Sequence, residues 1–238
     1  MRADTGLAAL ADATPDDPAR RVLIGWNWTL VEGPAGCGLA HTPSRGVPGC
    51  APPADAGDLA GRPLSALARF AGDPNPLAAA VGLAAINAAR ARTDLEGAPL
   101  NGLDVFRAIA DRTVVFGRFP DLDRRLPGAR IVERDPRPGE FALEDAPAVV
   151  ADAEAVVLTA QSLVNGTFAS VMAMAAGRRI ALVGPGTPLD PLLHEAGVEV
   201  VAGLVVTDPE EAARRIGEGA NVRGLRTCSR PLTLLRWP

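Results

Sequence analysis

"VVLTAQSLVNGTF", residues 156–168, begins as a buried strand and ends in a crowd of hydrogen-bonding side chains. Apolar and small residues run into Thr159. Gln161, Ser162, Asn165, Gly166 and Thr167 then gather before the helical pattern "FASVMAMAAG" (168–177), which Gly177 would stop. The same strand-then-helix unit recurs on either side. "RTVVFG" (112–117) and "ARIVERDP" (129–136) precede it, and "RRIALVGPG" (178–186) and "VEVVAGLVV" (198–206) follow. The last leads into "DPEEAARRIGEG", with Asp208 placed as a helix cap and Pro209 at the first helical position. Short, continuously apolar strands between helices imply a parallel sheet covered on both faces. Right-handed crossovers then make residues 101–238 a Rossmann-like α/β domain with a doubly wound sheet.

Residues 1–100 read as a smaller α+β domain. A short helix near "GLAALADA" (6–13) precedes "RVLIGWNWTLVE" (21–32), whose period-two alternation predicts a strand in an antiparallel pair. "GCGLAHT" (36–42) is a candidate partner. A Pro/Gly-rich loop from Pro43 to about Pro63 gives way to two helical stretches, "PLSALARFAG" (63–72) and "PLAAAVGLAAINAARAR" (76–92). The boundary is expected near "TDLEGAPLNG" (93–102), and no internal repeat is present.

The 238 residues are 47% hydrophobic and 22% charged, enough for one large or two small domains. A formal net charge of −4 gives no reason to expect nucleic acid, which favours basic faces. No apolar run reaches the roughly 18 to 20 residues of a membrane helix, so no membrane partner is expected. The N-terminus is too broken by acids for a secretory signal. The expectation is a soluble cytoplasmic protein, in which the Asn165-Gly166-Thr167 triplet is no glycosylation acceptor. A homodimer is the base expectation for its assembly. There is no Lys, so all 24 basic residues are Arg, and there is no Tyr. Lysine Schiff bases, a phosphate-loop lysine and a tyrosine acid are thereby excluded.

Three cysteines (Cys37, Cys50 and Cys228) argue against a disulfide framework in such a protein. Cys37, His41 and Cys50 lack the spacing and the fourth ligand of a standard zinc site, so no metal ligands are assigned. A Cys37/His41 nucleophile pair is a weaker alternative to ordinary buried thiols. His194, in "PLLHEAG", reads as a surface helix residue.

In an open α/β sheet, ligands bind at the carboxyl ends of the strands. Here those ends carry Gly117-Arg118-Phe119-Pro120, Glu133, Thr159 with Gln161, Ser162 and Asn165, and Gly184-Pro185-Gly186-Thr187-Pro188. Each has a plainer reading. Asn165 or Thr167 caps the next helix, Glu133 is a solvated charge beside Arg134, and "GPGTPLDP" is a rigid turn. The glycine fingerprint of dinucleotide binding, a phosphate loop and a G-x-S-x-G elbow are all missing.

"GRFP", "VERDP", "LTAQSLVNGTF" and "LVGPGTPLDPLLHEAGVEVVAGLVVTD", with "IGWNWTLV", "GCGLAHTP" and "AAVGLAAINAA" in the first half, resemble a bacterial and archaeal heavy-metal chelation family. The resemblance covers nearly the whole chain. It implies an enolase N-terminal-like domain joined to the Rossmann-like one, with the site between them. It also implies a small organic ligand of pterin, flavin or siderophore type, or its metal chelate, and condensation or hydrolysis of that ligand. Carried over by position, Glu133 and Asn165 would be catalytic. Thr29, Gly117, Phe119, Pro120, Thr167, Gly184, Pro185, Thr187 and Pro188 would bind ligand, and Thr159 joins them as a strand end. The family pattern reads G-P-S-T-P where Gly186 stands here. No cofactor is identified. The alternatives are a methyltransferase-like enzyme using S-adenosylmethionine, with Glu133 on the ribose, and a non-catalytic protein that binds metal or chelate.

Overall fold

Helix α1 (Ala3–Asp12) opens the chain, in a computed structural model that describes residues 3–44 and 46–236. Arg45, inside the loop expected at 43–63, lies outside the described residues, as do the two chain ends. The alternation over 21–32 proves to be two strands. β1 (Arg21–Ile24) and β2 (Trp28–Glu32) pair antiparallel around Gly25-Trp26-Asn27. A Cβ at Gly25 would lie 2.5 Å from Ile216 Cγ2 and 2.7 Å from its carbonyl oxygen, so the turn needs glycine. Asn27 Nδ2 ties it down by donating to Gly219 O at 2.8 Å. A turn this tight does not interrupt an apolar/polar alternation, so periodicity alone cannot reveal it. β3 (Cys37–His41) completes the sheet as the expected antiparallel partner of β2.

The two helical stretches become α2 (Leu64–Ala68), extended by a short 3-10 turn, and α3 (Pro76–Arg90). Asn75 caps α3 by accepting from Leu77 N at 3.0 Å, and Pro76 occupies the first position. Ala, Gly and Ile surround the whole circumference of α3, the pattern of a helix buried on every side. β3 lies against one side of it, α2 against another.

The second sheet has seven strands: β4 (Thr113–Phe116), β5 (Arg130–Glu133), β6 (Phe141–Ala142), β7 (Ala155–Thr159), β8 (Arg179–Val183), β9 (Val200–Val206) and β10 (Ser229–Leu235). Their spatial order is β10-β9-β8-β7-β4-β5-β6. All pairings are parallel except β9 with β10. The first three strands extend one way and the next three the other, so the order reverses between β4 and β7, as in a Rossmann sheet. Helices α4 (Leu122–Arg125), α5 (Ala146–Ala151), α6 (Gln161–Val164), α7 (Phe168–Met174), α8 (Leu192–Glu195) and α9 (Pro209–Gly217) connect them. Asp208 caps α9, accepting from Glu211 N at 3.0 Å, with Pro209 next.

β10 carries no helical or alternating signal in the sequence, and Pro231 within it argues against a central strand. It lies on the edge of the sheet, where a missing N–H is tolerated. The 97–98 segment adds to that edge: Ala98 and Thr233 exchange backbone hydrogen bonds of 2.9 Å each.

One hydrophobic cluster runs from Leu10, Val31 and Ile86 through to Leu158, Leu182 and Val201. A second joins Trp28, Leu30 and Cys37 of the small sheet to Val206, Ile216 and Cys228. The small sheet is therefore enclosed between α3 and the β9–α9 end of the large one. No helix among the described residues is long and apolar enough to cross a membrane.

Candidate functional site

At the carboxyl ends of β4, β7 and β8, where the strand order reverses, the chain encloses a cleft of about 1120 Å³. Asn27, Trp28 and His41 of the small sheet form the opposite wall. The tight backbone at its base needs two glycines of positive φ. Gly117 (φ +97°) lies where a Cβ would meet Thr159 Cγ2 at 2.5 Å, and Gly184 (φ +146°) faces Ala160 Cβ at 3.2 Å.

The walls are predominantly basic. Arg118, Arg124, Arg125, Arg223 and Arg226 line the cleft against Asp104 and Asp121, five against two, an excess of three positive charges in a chain of net charge −4. Most of these guanidinium groups are already tethered. Arg125 pairs with Asp104 at 2.6 Å, and Asp121 takes Arg223 at 3.4 Å and Arg124 at 3.7 Å. Arg118 grips Glu140 with two bonds of 2.9 and 2.5 Å and stands 3.7 Å from Glu133. Those bonds, with one from Arg137 N, hold the Glu140 carboxyl at about 2. Arg226 makes no ion pair among the described residues.

His41 is the imidazole of the cleft. It meets its cross-strand neighbour Trp28 edge to face, with centroids 5.7 Å apart and planes at 81°. Its Nδ1 and the Trp28 Nε1 are both buried without a hydrogen-bond partner. Burial pushes the His41 pKa down, which favours the neutral ring.

Two sequence profiles, both described as "Putative heavy-metal chelation", match residues 7–90 and 101–231. This chain belongs to that heavy-metal chelation family. Solved family members of unknown function share its fold. One from Desulfitobacterium hafniense is 24% identical with a TM-score of 0.87, over 97% of each chain. One from Pyrococcus horikoshii is 19% identical with a TM-score of 0.78, over 99% of this chain and 100% of the other. At these identities the likeness is one of fold. No functionally curated protein matches the chain.

For a heavy-metal chelation family member, the donor set is sparse. Among the described residues, no group of three or more His, Cys, Asp or Glu could hold an ion. Cys37, His41 and Cys50 do not gather into one. All three cysteines are free, and burial raises the thiol pKa of both Cys37 and Cys228. The residues present do not fit a bare metal ion.

Of the residues expected from sequence, Phe119, Pro120, Thr159, Gly184 and Pro185 line the cleft together, as does Gly186, while Gly117 packs directly against Thr159. The others lie elsewhere. Glu133 faces Arg118 outside the lining. Thr29 is fully buried, its hydroxyl 3.0 Å from that of Thr42. Thr187 and Pro188 are buried behind the loop, with the Thr187 hydroxyl unpartnered. Asn165 and Thr167 occupy the corner between α6 and α7, a turn beyond the strand end. There Asn165 Oδ1 accepts from Thr167 N at 3.1 Å and from its hydroxyl at 2.7 Å. That exposed Asx turn accounts for the polar crowding in the opening sequence.

Sequence reasoning did not single out Trp28, His41, Arg223 or Arg226 for this site. They come from the small sheet and from the segment before β10. The "VRGLR" run at 222–226 becomes meaningful only once that unpredicted strand is placed.

Proposed function

We propose that the cleft binds a small anionic organic molecule, a chelator of the pterin, flavin or siderophore kind. The carrying observation is the excess of arginine over acid in a concave wall of an otherwise acidic chain. Arg presents a planar fork of donors matched to carboxylate and phosphate, and several such forks facing one concave cleft can engage the same anion. Apolar faces for a ring come from Phe119, Pro120 and Pro185 beside Trp28. A cleft of about 1120 Å³ is ample for a ligand of this size. The family description supports a link between that ligand and metal.

Arg226 is the cleft guanidinium with no carboxylate paired to it among the described residues. Arg226→Ala is expected to weaken an anionic ligand by about 1.5–3 kcal/mol, roughly 10- to 100-fold. Thermal stability should be unchanged. Calorimetric titration with citrate, pterin-6-carboxylate, flavin mononucleotide and a catechol siderophore would measure it, each beside a neutral analogue. Tight binding of the neutral analogues alone, or an anion affinity indifferent to Arg226, would sink this reading.

A further inference from the structure

The family description and the donor set point in different directions, and the difference defines the form in which metal enters. We infer that the cleft takes a metal ion only as a preformed anionic complex, recognised through the outer oxygens of its chelator, with no protein atom bound to the metal. The inference rests on the anion-binding reading of the cleft and adds what that anion carries.

Three observations lead there. Among the described residues, no cluster of donors could replace the water shell of a bare ion. The carboxylates that would attract a cation are already held by arginines: Asp104 by Arg125 and Asp121 by Arg124 and Arg223 in the wall itself, and Glu133 with Glu140, just outside the lining, by Arg118. Against these four carboxylates the five arginines leave one positive charge over, on Arg226, which repels a bare divalent or trivalent cation yet attracts the same metal once its chelator has more than neutralised it.

His41, the one imidazole in this wall, is poorly set up as a metal ligand. A coordinating histidine ordinarily donates its second ring N–H to a carbonyl or carboxylate, which fixes the tautomer and raises the basicity of the ligating nitrogen. Here the buried Nδ1 has no such partner. The less costly neutral tautomer leaves Nδ1 as a bare lone pair and puts the proton on Nε2. In that form the ring is a hydrogen-bond donor to a ligand oxygen.

Recognition of this kind is blind to the metal and sensitive to the charge and outline of the complex. EDTA complexes separate the two variables, since divalent metals give a 2− complex and trivalent metals a 1− complex of similar shape. In chelator-free buffer, Ni²⁺, Zn²⁺ and Co²⁺ alone should not bind the full-length protein. Their EDTA complexes should bind with affinities equal within about twofold of one another, and about fivefold more tightly than the Fe(III) and Co(III) complexes. Co(III)–EDTA is inert to ligand exchange, so its equality with Fe(III)–EDTA would show that no protein donor enters the metal's shell. Arg226→Ala should weaken the whole series together.

Stoichiometric binding of a bare ion would overturn the inference. So would affinities ordered by metal at constant complex charge, or Fe(III)–EDTA binding where Co(III)–EDTA does not. If citrate or pterin-6-carboxylate binds and none of the EDTA complexes does, the inference fails while the anion-binding cleft stands. If no anion binds, the cleft reading fails and takes the inference with it.

Discussion

Arg90→Ala is expected to destabilise the protein by about 3–5 kcal/mol, the usual cost of removing one partner from a buried ion pair. Arg90 ends α3 with its side chain only 7% exposed, and Asp190, ahead of α8, is 20% exposed. Nε donates to Asp190 Oδ2 at 2.8 Å, while the two terminal nitrogens reach Thr14 Oγ1 and Ile86 O at 3.1 Å and Leu10 O at 2.7 Å. One guanidinium thus satisfies acceptors on α1, on its own helix and on the large sheet's side of the molecule. Truncation takes the cationic partner from the Asp190 carboxylate and one hydrogen bond each from Thr14 Oγ1, Ile86 O and Leu10 O, the last of which keeps its bond from the Thr14 hydroxyl. Arg90→Lys should recover part of the loss, because an ammonium keeps the charge but not the fork. Urea unfolding of the three proteins would measure it. A loss below about 1 kcal/mol for the alanine variant would mean that the pair is effectively solvated.

Gly38→Ala should be as damaging, about 3 kcal/mol or more, through a different cause. Overpacking ordinarily costs about 1–3 kcal/mol because side chains can shift, but here the neighbours are backbone. The new methyl would fall inside the contact radii of Ala84 O and Ala88 N, so α3 would have to move off β3. Gly72→Ala is the matched control, since nothing lies within 4 Å of its Cβ position. Melting curves followed by circular dichroism should show the control near the parent and Gly38→Ala far below it. Coincident melts would show that the helix and sheet are less closely apposed than described.

The large sheet was legible because buried parallel strands are written as unbroken apolar runs between helix caps, and Asp208-Pro209 and Gly177 mark their boundaries plainly. Its antiparallel edge was not, since "SRPLTLL" contains a proline and pairs with residues far away in sequence. The hairpin at Gly25 was hidden by an alternation that continues through the turn. The strand-end half of the cleft followed from the position of Phe119, Thr159 and Gly184. The arginines that give it its charge come from separate segments joined only by folding, and no local pattern distinguishes Arg226 from other arginines of the chain. The Asn165-Gly166-Thr167 crowd shows the opposite hazard. A dense local signal there is met by a turn that satisfies itself.

The two matched segments, 7–90 and 101–231, are bridged by an amide that limits any motion of one against the other. Asn87 of α3, 3% exposed, donates to Leu39 O at 2.8 Å and to Gly186 O at 2.9 Å. One carbonyl belongs to the small-sheet wall of the cleft and the other to the loop after β8. The bond to Leu39 fixes the amide within the first segment, and parting the walls would strip its bond to Gly186 O inside the protein. The incoming molecule therefore meets walls already at their final spacing, with no closing step after encounter. In kinetic terms, the observed association rate would rise in proportion to ligand concentration without reaching a plateau.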